Sequence, residues 1–228
     1  CHNDAMSESR RWAFPEAVQP NPEEAEFDLA RAFDAVVLVR AEIPEDGQTA
    51  STLGTERSGY GVVIREDGLI LTIGYLMVEA HSAEVITNAG RTLPATVVGY
   101  DHETGFGLLR TMEPLKTKPL PIGRSADVKE GDRALVVSFG GAGMVAPVNV
   151  VSKRVFAGSW EYLVPDALFT SPPHPAWSGA ALVSREGKLV GVGSLIVGDA
   201  SGKKENMPGN MFVPIDLLTP FLKKDNPT

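Results

Sequence analysis

Ser178 is the residue in this chain best suited to covalent chemistry. It stands in Trp177-Ser178-Gly179-Ala180-Ala181-Leu182-Val183, a glycine-flanked hydroxyl running into an apolar strand. Arg185-Glu186-Gly187 then turns the chain into a second apolar run, Lys188-Leu189-Val190-Gly191-Val192. A serine in a tight turn at the head of a strand can reach a substrate carbonyl. Its hydroxyl is nevertheless a poor nucleophile unless an imidazole takes the proton and a carboxylate orients that imidazole. His81, His102 and His174 are the candidate bases, the last of them four residues before the serine. Each is flanked by polar or proline residues and reads first as a surface-loop histidine, because a Ser-His dyad depends on geometry and not on inventory.

Other chemistries find less support. Gly140-Gly141-Ala142-Gly143 lacks the Lys-Ser/Thr continuation of a phosphate loop and reads as a loop between strands. Met77, Met144, Met207 and Met211 are scattered and read as packing. No pair of His or Cys has metal-ligand spacing, so neither a cofactor nor a metal is expected.

Three segments, in order, resemble the trypsin-like serine proteases of the bacterial HtrA/Deg type. The first is Ser58-Gly59-Tyr60-Gly61-Val62-Val63-Ile64 followed by Asp67-Gly68-Leu69-Ile70-Leu71-Thr72-Ile73-Gly74-Tyr75-Leu76-Met77-Val78, similar to that family's glycine-rich strand and histidine segment. The second, Ala95-Thr96-Val97-Val98-Gly99-Tyr100-Asp101-His102-Glu103-Thr104-Gly105-Phe106-Gly107-Leu108-Leu109-Arg110, is similar to its aspartate segment, and the third is the stretch around Ser178. With the closing strand Asn210-Met211-Phe212-Val213-Pro214-Ile215, the resemblance runs from about residue 27 to 222. It implies an all-β fold of two six-stranded barrels with short helices at the two ends.

The same resemblance implies a degenerate triad. It puts Tyr75 where the general base belongs and Gly105 where the orienting carboxylate belongs, leaving Ser178 alone. Tyrosine, with an unperturbed pKa of about 10, is no base near neutral pH, and glycine has no side chain to offer. Where the resemblance implies a glycine two residues before the serine, this chain has Ala176, with bulky Trp177 beside it. Both make the conformation that aims two N–H groups at an oxyanion harder to reach. The expectation is a pseudoprotease. Tyr75, Trp160, Tyr162 and Trp177 are the candidate partner groove, with Trp177 expected to be buried over Ser178 and Trp160 exposed.

The elements that must position these residues are mostly strands. Short, β-branched apolar runs at 35–39, 61–64, 69–72, 83–87, 134–139, 145–151 and 188–197 are bounded by Gly, Asp, Asn or Pro. Glu66-Asp67-Gly68, Asn88-Ala89-Gly90 and Arg185-Glu186-Gly187 are turn sequences. Asn21-Pro22-Glu23-Glu24 predicts a helix from its cap to about Phe33, and a last helix is predicted from Asp216 through Leu222, shortened or kinked by Pro220.

Composition fits one folded unit: 228 residues, 43% hydrophobic and 22% charged, in the range where a double barrel of ~200 residues is one domain. Residues 22–224 are read as that domain, 1–21 as a polar tether and 225–228 as a tail. A formal charge of −8 disfavours nucleic acid and anionic membrane surfaces as partners. The single cysteine is Cys1. It reads either as the lipid-bearing first residue of an exported lipoprotein or simply as the residue at which the sequence starts. Many HtrA-type proteins carry a PDZ domain after this point, and none is expected here. Three functions compete: a non-catalytic domain binding or scaffolding protein partners in the periplasm or cell envelope, an endopeptidase rewired through Ser178 and a histidine, and a purely structural lipoprotein subunit of a membrane complex.

Overall fold

A computed structural model describes residues 13–47, 56–80, 82–158 and 163–224. The first barrel is built from β1 (Val36–Glu42), β2 (Glu56–Val63), β3 (Leu69–Ile73), β4 (Ser82–Ile86), β5 (Thr92–Tyr100) and β6 (Phe106–Thr111). All its pairings are antiparallel, and it closes in the order β1-β2-β3-β6-β5-β4. The second contains β7 (Arg133–Val137), β8 (Val145–Ala157), β9 (Leu163–Ser171), β10 (Ala181–Val183), β11 (Leu189–Val197) and β12 (Gly209–Pro214), closed as β10-β11-β12-β9-β8-β7. This is the trypsin-like double barrel expected from the sequence.

Period-two alternation drives the packing, as in β4, where Ala83 and Val85 face the core and Ser82 faces solvent. β3 is buried along its whole length because it has the first barrel's interior on one side and β11 of the second barrel near the other. One continuous core joins Val37, Leu71, Phe106 and Leu109 of the first barrel to Val137, Phe169, Val192 and Met211 of the second. Asn88 also links the two halves, donating to the Phe33 carbonyl at 2.6 Å and accepting from the Gly140 amide at 3.1 Å. Met77, Met144 and Met211 are buried, as packing residues should be.

Both predicted helices need correction. Asn21 caps only a single turn: its side chain accepts from the Glu23 amide at 3.0 Å and its carbonyl from the Glu24 amide at 3.1 Å. The helix α1 (Leu29–Asp34) starts anew with Asp28, whose carboxylate accepts from Ala30 and Arg31. Phe27 interrupts the two because its ring packs on Gly187 of the second barrel. At the other end a 3-10 turn, Ile215–Leu217, precedes α2 (Leu218–Lys224). Asp216 does not cap its own helix, since its carboxylate accepts from the amides of Ser125 and Ala126 at 3.0 and 2.9 Å. Pro220 sits in the first turn, where its missing N–H leaves no bond unmade.

Residues 13–19, read as tether, touch the second barrel: the Phe14 amide donates to the Gly143 carbonyl at 2.8 Å, and Gln19 Nε2 donates to the Phe14 carbonyl at 2.7 Å. Cys1, His81, Trp160 and Tyr162 lie outside the described residues.

Candidate functional site

Ser178 occupies a tight turn just before β10, and the backbone of that turn is tied to both barrels. Its carbonyl accepts from the Tyr60 amide of β2 at 2.8 Å. Gly179 follows at φ +82°, and a Cβ there would collide with the Tyr60 carbonyl, so only glycine fits. The Gly179 amide donates to the Gly193 carbonyl at 2.9 Å and the Ala180 amide to the Trp177 carbonyl at 3.0 Å. Thr72 of β3 completes the seam by donating its hydroxyl to the Tyr60 carbonyl at 2.7 Å.

Tyr75 faces this turn from the first barrel. It sits on the 3-10 turn Gly74–Leu76 that ends β3, and its half-buried hydroxyl is hydrogen-bonded to the hydroxyl of Ser178. Either oxygen can donate. Burial pushes the Tyr75 phenol above its ordinary value, and the bond to Ser178 offsets part of that rise. A phenol so raised is protonated at neutral pH and accepts no proton from serine. The segment carrying it is held by Arg57 of β2, which is 6% exposed and donates through Nη1 to the Tyr75 and Val78 carbonyls at 3.0 and 2.9 Å. Burial pulls this guanidinium down and Glu79 opposes the change. Sequence reasoning missed Arg57, although it falls in phase with the inward-facing Gly59 and Gly61 of β2.

Gly105 also lies here. It is placed by the bond from the Gly74 amide to its carbonyl at 2.5 Å and by its own amide donating to the Asp101 carbonyl at 2.8 Å. Its φ of +83° belongs to the left-handed region that side chains rarely adopt.

The histidine nearest in sequence to the serine has a different role from the one read for it. His174 is fully buried, not a surface residue. Asn210 of β12 grips its backbone, accepting from the His174 amide at 2.7 Å and donating to its carbonyl at 3.3 Å. The ring's Nε2 lies 2.9 Å from the Met144 carbonyl, and Nδ1 lies 3.0 Å from the Ala176 amide. A carbonyl can only accept and an amide can only donate, so Nε2 carries the proton and Nδ1 is the acceptor. Burial lowers the ring's pKa from 6.5, partly offset by the Met144 bond, so it is neutral at pH 7. Both nitrogens are engaged away from Ser178, and the Ala176 amide, implied by the resemblance as an oxyanion donor, is bonded to His174.

His102 is exposed and stacks edge-on against Tyr100, with centroids 4.3 Å apart. Trp177 is half-buried, a correction to its expected burial: Tyr75, not Trp177, covers the Ser178 hydroxyl. Among the described residues no cluster of His, Cys, Asp or Glu could hold a metal.

The family described as trypsin-like peptidase domain matches residues 59–192. The chain is 31% identical to the mitochondrial serine protease HTRA2 of Bos taurus over 180 residues, covering 73% of this chain and 36% of that protein. It is 28% identical to the periplasmic pH-dependent serine endoprotease DegQ of Escherichia coli (strain K12) over 195 residues, covering 76% and 42%. Among solved structures, the HtrA-type protease AlgW with tripeptide superposes with a TM-score of 0.68 at 22% identity, covering 86% of this chain and 61% of that one. The chain thus spans less than half the length of either relative.

Proposed function

Because the chain belongs to the trypsin-like peptidase family, as an HtrA-type domain, we propose that it is a non-catalytic member that binds protein partners through the surface around Ser178. The observation that carries this reading is the hydroxyl-to-hydroxyl pairing of Tyr75 and Ser178. A protonated phenol against the serine, at the position that the resemblance gives to the base, supports a serine without activation. The bond from the Ala176 amide to His174 supports it independently, since a donor held there does not aim at an oxyanion. A half-exposed Trp177 beside a seam that no longer turns over substrate is suited to anchoring a partner. Relatives named as periplasmic, in Escherichia coli and Chlamydia pneumoniae, favour the cell envelope as the place where it acts.

The test has two arms. Purified protein incubated with a fluorophosphonate probe and with casein is expected to give neither Ser178 labelling nor cleavage, and labelling abolished by Ser178→Ala would sink the non-catalytic reading. A photo-crosslinking residue at position 175, exposed beside Trp177, in living cells is expected to give discrete protein adducts that the same residue at Lys203 does not. Identical adduct patterns at the two positions would remove the binding surface from Ser178.

A further inference from the structure

A cleft of about 600 Å³ lies at the end of the second barrel where β7 and β11 begin and β10 finishes. The Ser178 turn precedes β10 and Ser184, which lines the cleft, follows it, so the strand separates the two places. The floor is the end of the second barrel's small inner core, in Val128, Ala134, Val150 and Val190. Ile122 on the rim is an apolar side chain left 46% exposed. Both walls are fixed by bonds that the cleft itself does not use. The Gly123 amide donates to the Leu189 carbonyl at 2.9 Å and the Leu189 amide to the Pro121 carbonyl at 2.8 Å, tying segment 121–134 to the 184–188 turn opposite. Behind the first wall, Lys153 Nζ donates to the Ser125 and Val128 carbonyls at 3.0 and 3.1 Å. The cavity is therefore built before any ligand arrives.

We propose that this cleft binds an apolar monocarboxylate, with the carboxylate among Arg124, Arg133 and Lys188 and the stem over Ile122 and the valines of the floor. The charges around the cleft divide into engaged and unengaged groups. Arg185 pairs with Glu26 at 3.6 Å, and the Asp132 carboxylate accepts from the Lys129 amide at 2.9 Å. The side chains of Arg124, Arg133 and Lys188, and those of Asp127 and Glu186, make no hydrogen bond or ion pair among the described residues. Three cations against two carboxylates leave a surplus of one positive charge, on a chain whose formal charge is −8. Such a spot concentrates anions. A dianion such as phosphate exceeds that surplus and is opposed by Asp127 and Glu186, whereas a neutral apolar molecule leaves the cations unused. One negative charge on an apolar stem answers to both halves of the lining. The volume falls within the roughly 300–1,000 Å³ of small-molecule sites, and the mouth of a β-barrel is one of the places where such sites occur. The same chemistry is carried by a free medium-chain fatty acid and by the C terminus of a peptide with an apolar last residue. The site goes beyond the surface around Ser178 and does not rest on it.

The test is an NMR titration of the whole protein at neutral pH, following the backbone amides of Gly123, Ala134 and Val190, with octanoate, N-acetyl-Val-Leu, 1-octanol and acetate as probes. Octanoate or the acetylated dipeptide is expected to shift these amides saturably, with a Kd of about 1 mM or tighter, while octanol and acetate do not saturate them. Saturation by either acid supports the proposal, and the tighter of the two names the source. Two variants at exposed positions, where folding is not at stake, test the charges. Arg133→Gln combined with Lys188→Gln should weaken binding about tenfold, and Glu186→Gln should tighten it. No saturable shift with either acid, octanol binding as well as octanoate, or an affinity that ignores the Arg133 and Lys188 substitutions would each overturn the proposal. None of these readouts involves Ser178 or hydrolysis, so failure here is distinct from failure of the non-catalytic reading.

Discussion

The hydroxyl of Tyr75 is hydrogen-bonded to that of Ser178 across the seam between the two barrels. One residue comes from the turn that ends β3 and the other from the turn that opens β10. Neither group activates the other. Their meeting is a contact between barrels, and it is as such that its removal should be felt.

Tyr75→Phe deletes this bond and keeps the ring. Stability measured by urea melt is expected to fall by about 1 kcal/mol, the net worth of one partly buried hydrogen bond. Ser178 is expected to stay unreactive towards fluorophosphonate. A reactive serine in this variant would mean that the phenol had been shielding a competent nucleophile.

Rebuilding the triad with Tyr75→His and Gly105→Asp should give weak casein cleavage at best. Gly105 has φ +83°, so aspartate there is strained by ~1–2 kcal/mol and points its carboxylate from an unusual backbone. The Ala176 amide remains bonded to His174. Gly105→Asp alone should lower the melting midpoint, and an unchanged midpoint would mean that the backbone relaxes freely at that position.

Arg57→Met keeps volume but removes the donors that hold the Tyr75 and Val78 carbonyls. A loss of about 3 kcal/mol is expected from two buried acceptors left without a charged partner. Near-UV circular dichroism of the tyrosines should change with it. A neutral substitution would show that water replaces the guanidinium without cost.

His174 predicts a pH dependence of stability. Its folded-state pKa lies below the unfolded value of 6.5, so below that value the unfolded chain binds the proton more readily. The contribution of the neutral ring is fully present above pH 6.5 and is lost as pH falls from there through the folded-state pKa. Urea midpoints of wild type and His174→Asn, compared from pH 8 to 5, should run parallel above about pH 7 and converge below about pH 6. Parallel curves throughout would assign the acid sensitivity to other groups.

Trp177→Ala removes a half-buried ring. The expected loss of stability is about 2 kcal/mol or less, short of the 3–5 of a core tryptophan, while the crosslinks and affinity of a captured partner should drop by a larger factor. A core-sized loss with unchanged binding would make the ring a plug.

Much of this was legible because it rests on local pattern. The runs that became β3 and β11 are apolar and β-branched, and the three turn glycines, Gly68, Gly90 and Gly187, all adopt positive φ. β9 is absent from the apolar runs because Pro165-Asp166 interrupts its pattern. The strand instead carries Asp166 at φ +53° and continues, paired with β8 across a register shift. The helix limits failed where a long-range partner took the capping group, Asp216 serving Ser125 and Ala126 across 91 and 90 residues. At the site, the resemblance singled out Tyr75, Gly105 and Ser178 as residues of interest, but which groups pair with them was not readable. That His174 would turn inward onto Met144 and Ala176 depends on Asn210, which lies 36 residues away and carries no local signal.

Ser178 contributes to the seam through its carbonyl, which bonds to Tyr60, and Gly179 through its lack of a side chain. The two neighbours are therefore under unequal constraint. Once hydrolysis no longer matters, the serine can drift to alanine at a cost of about 1 kcal/mol for the lost Tyr75 bond without parting the barrels, whereas the glycine has no tolerated replacement. A lineage that abandoned this chemistry would go on carrying the outline of a nucleophile turn, preserved as a rivet, long after its serine had become optional.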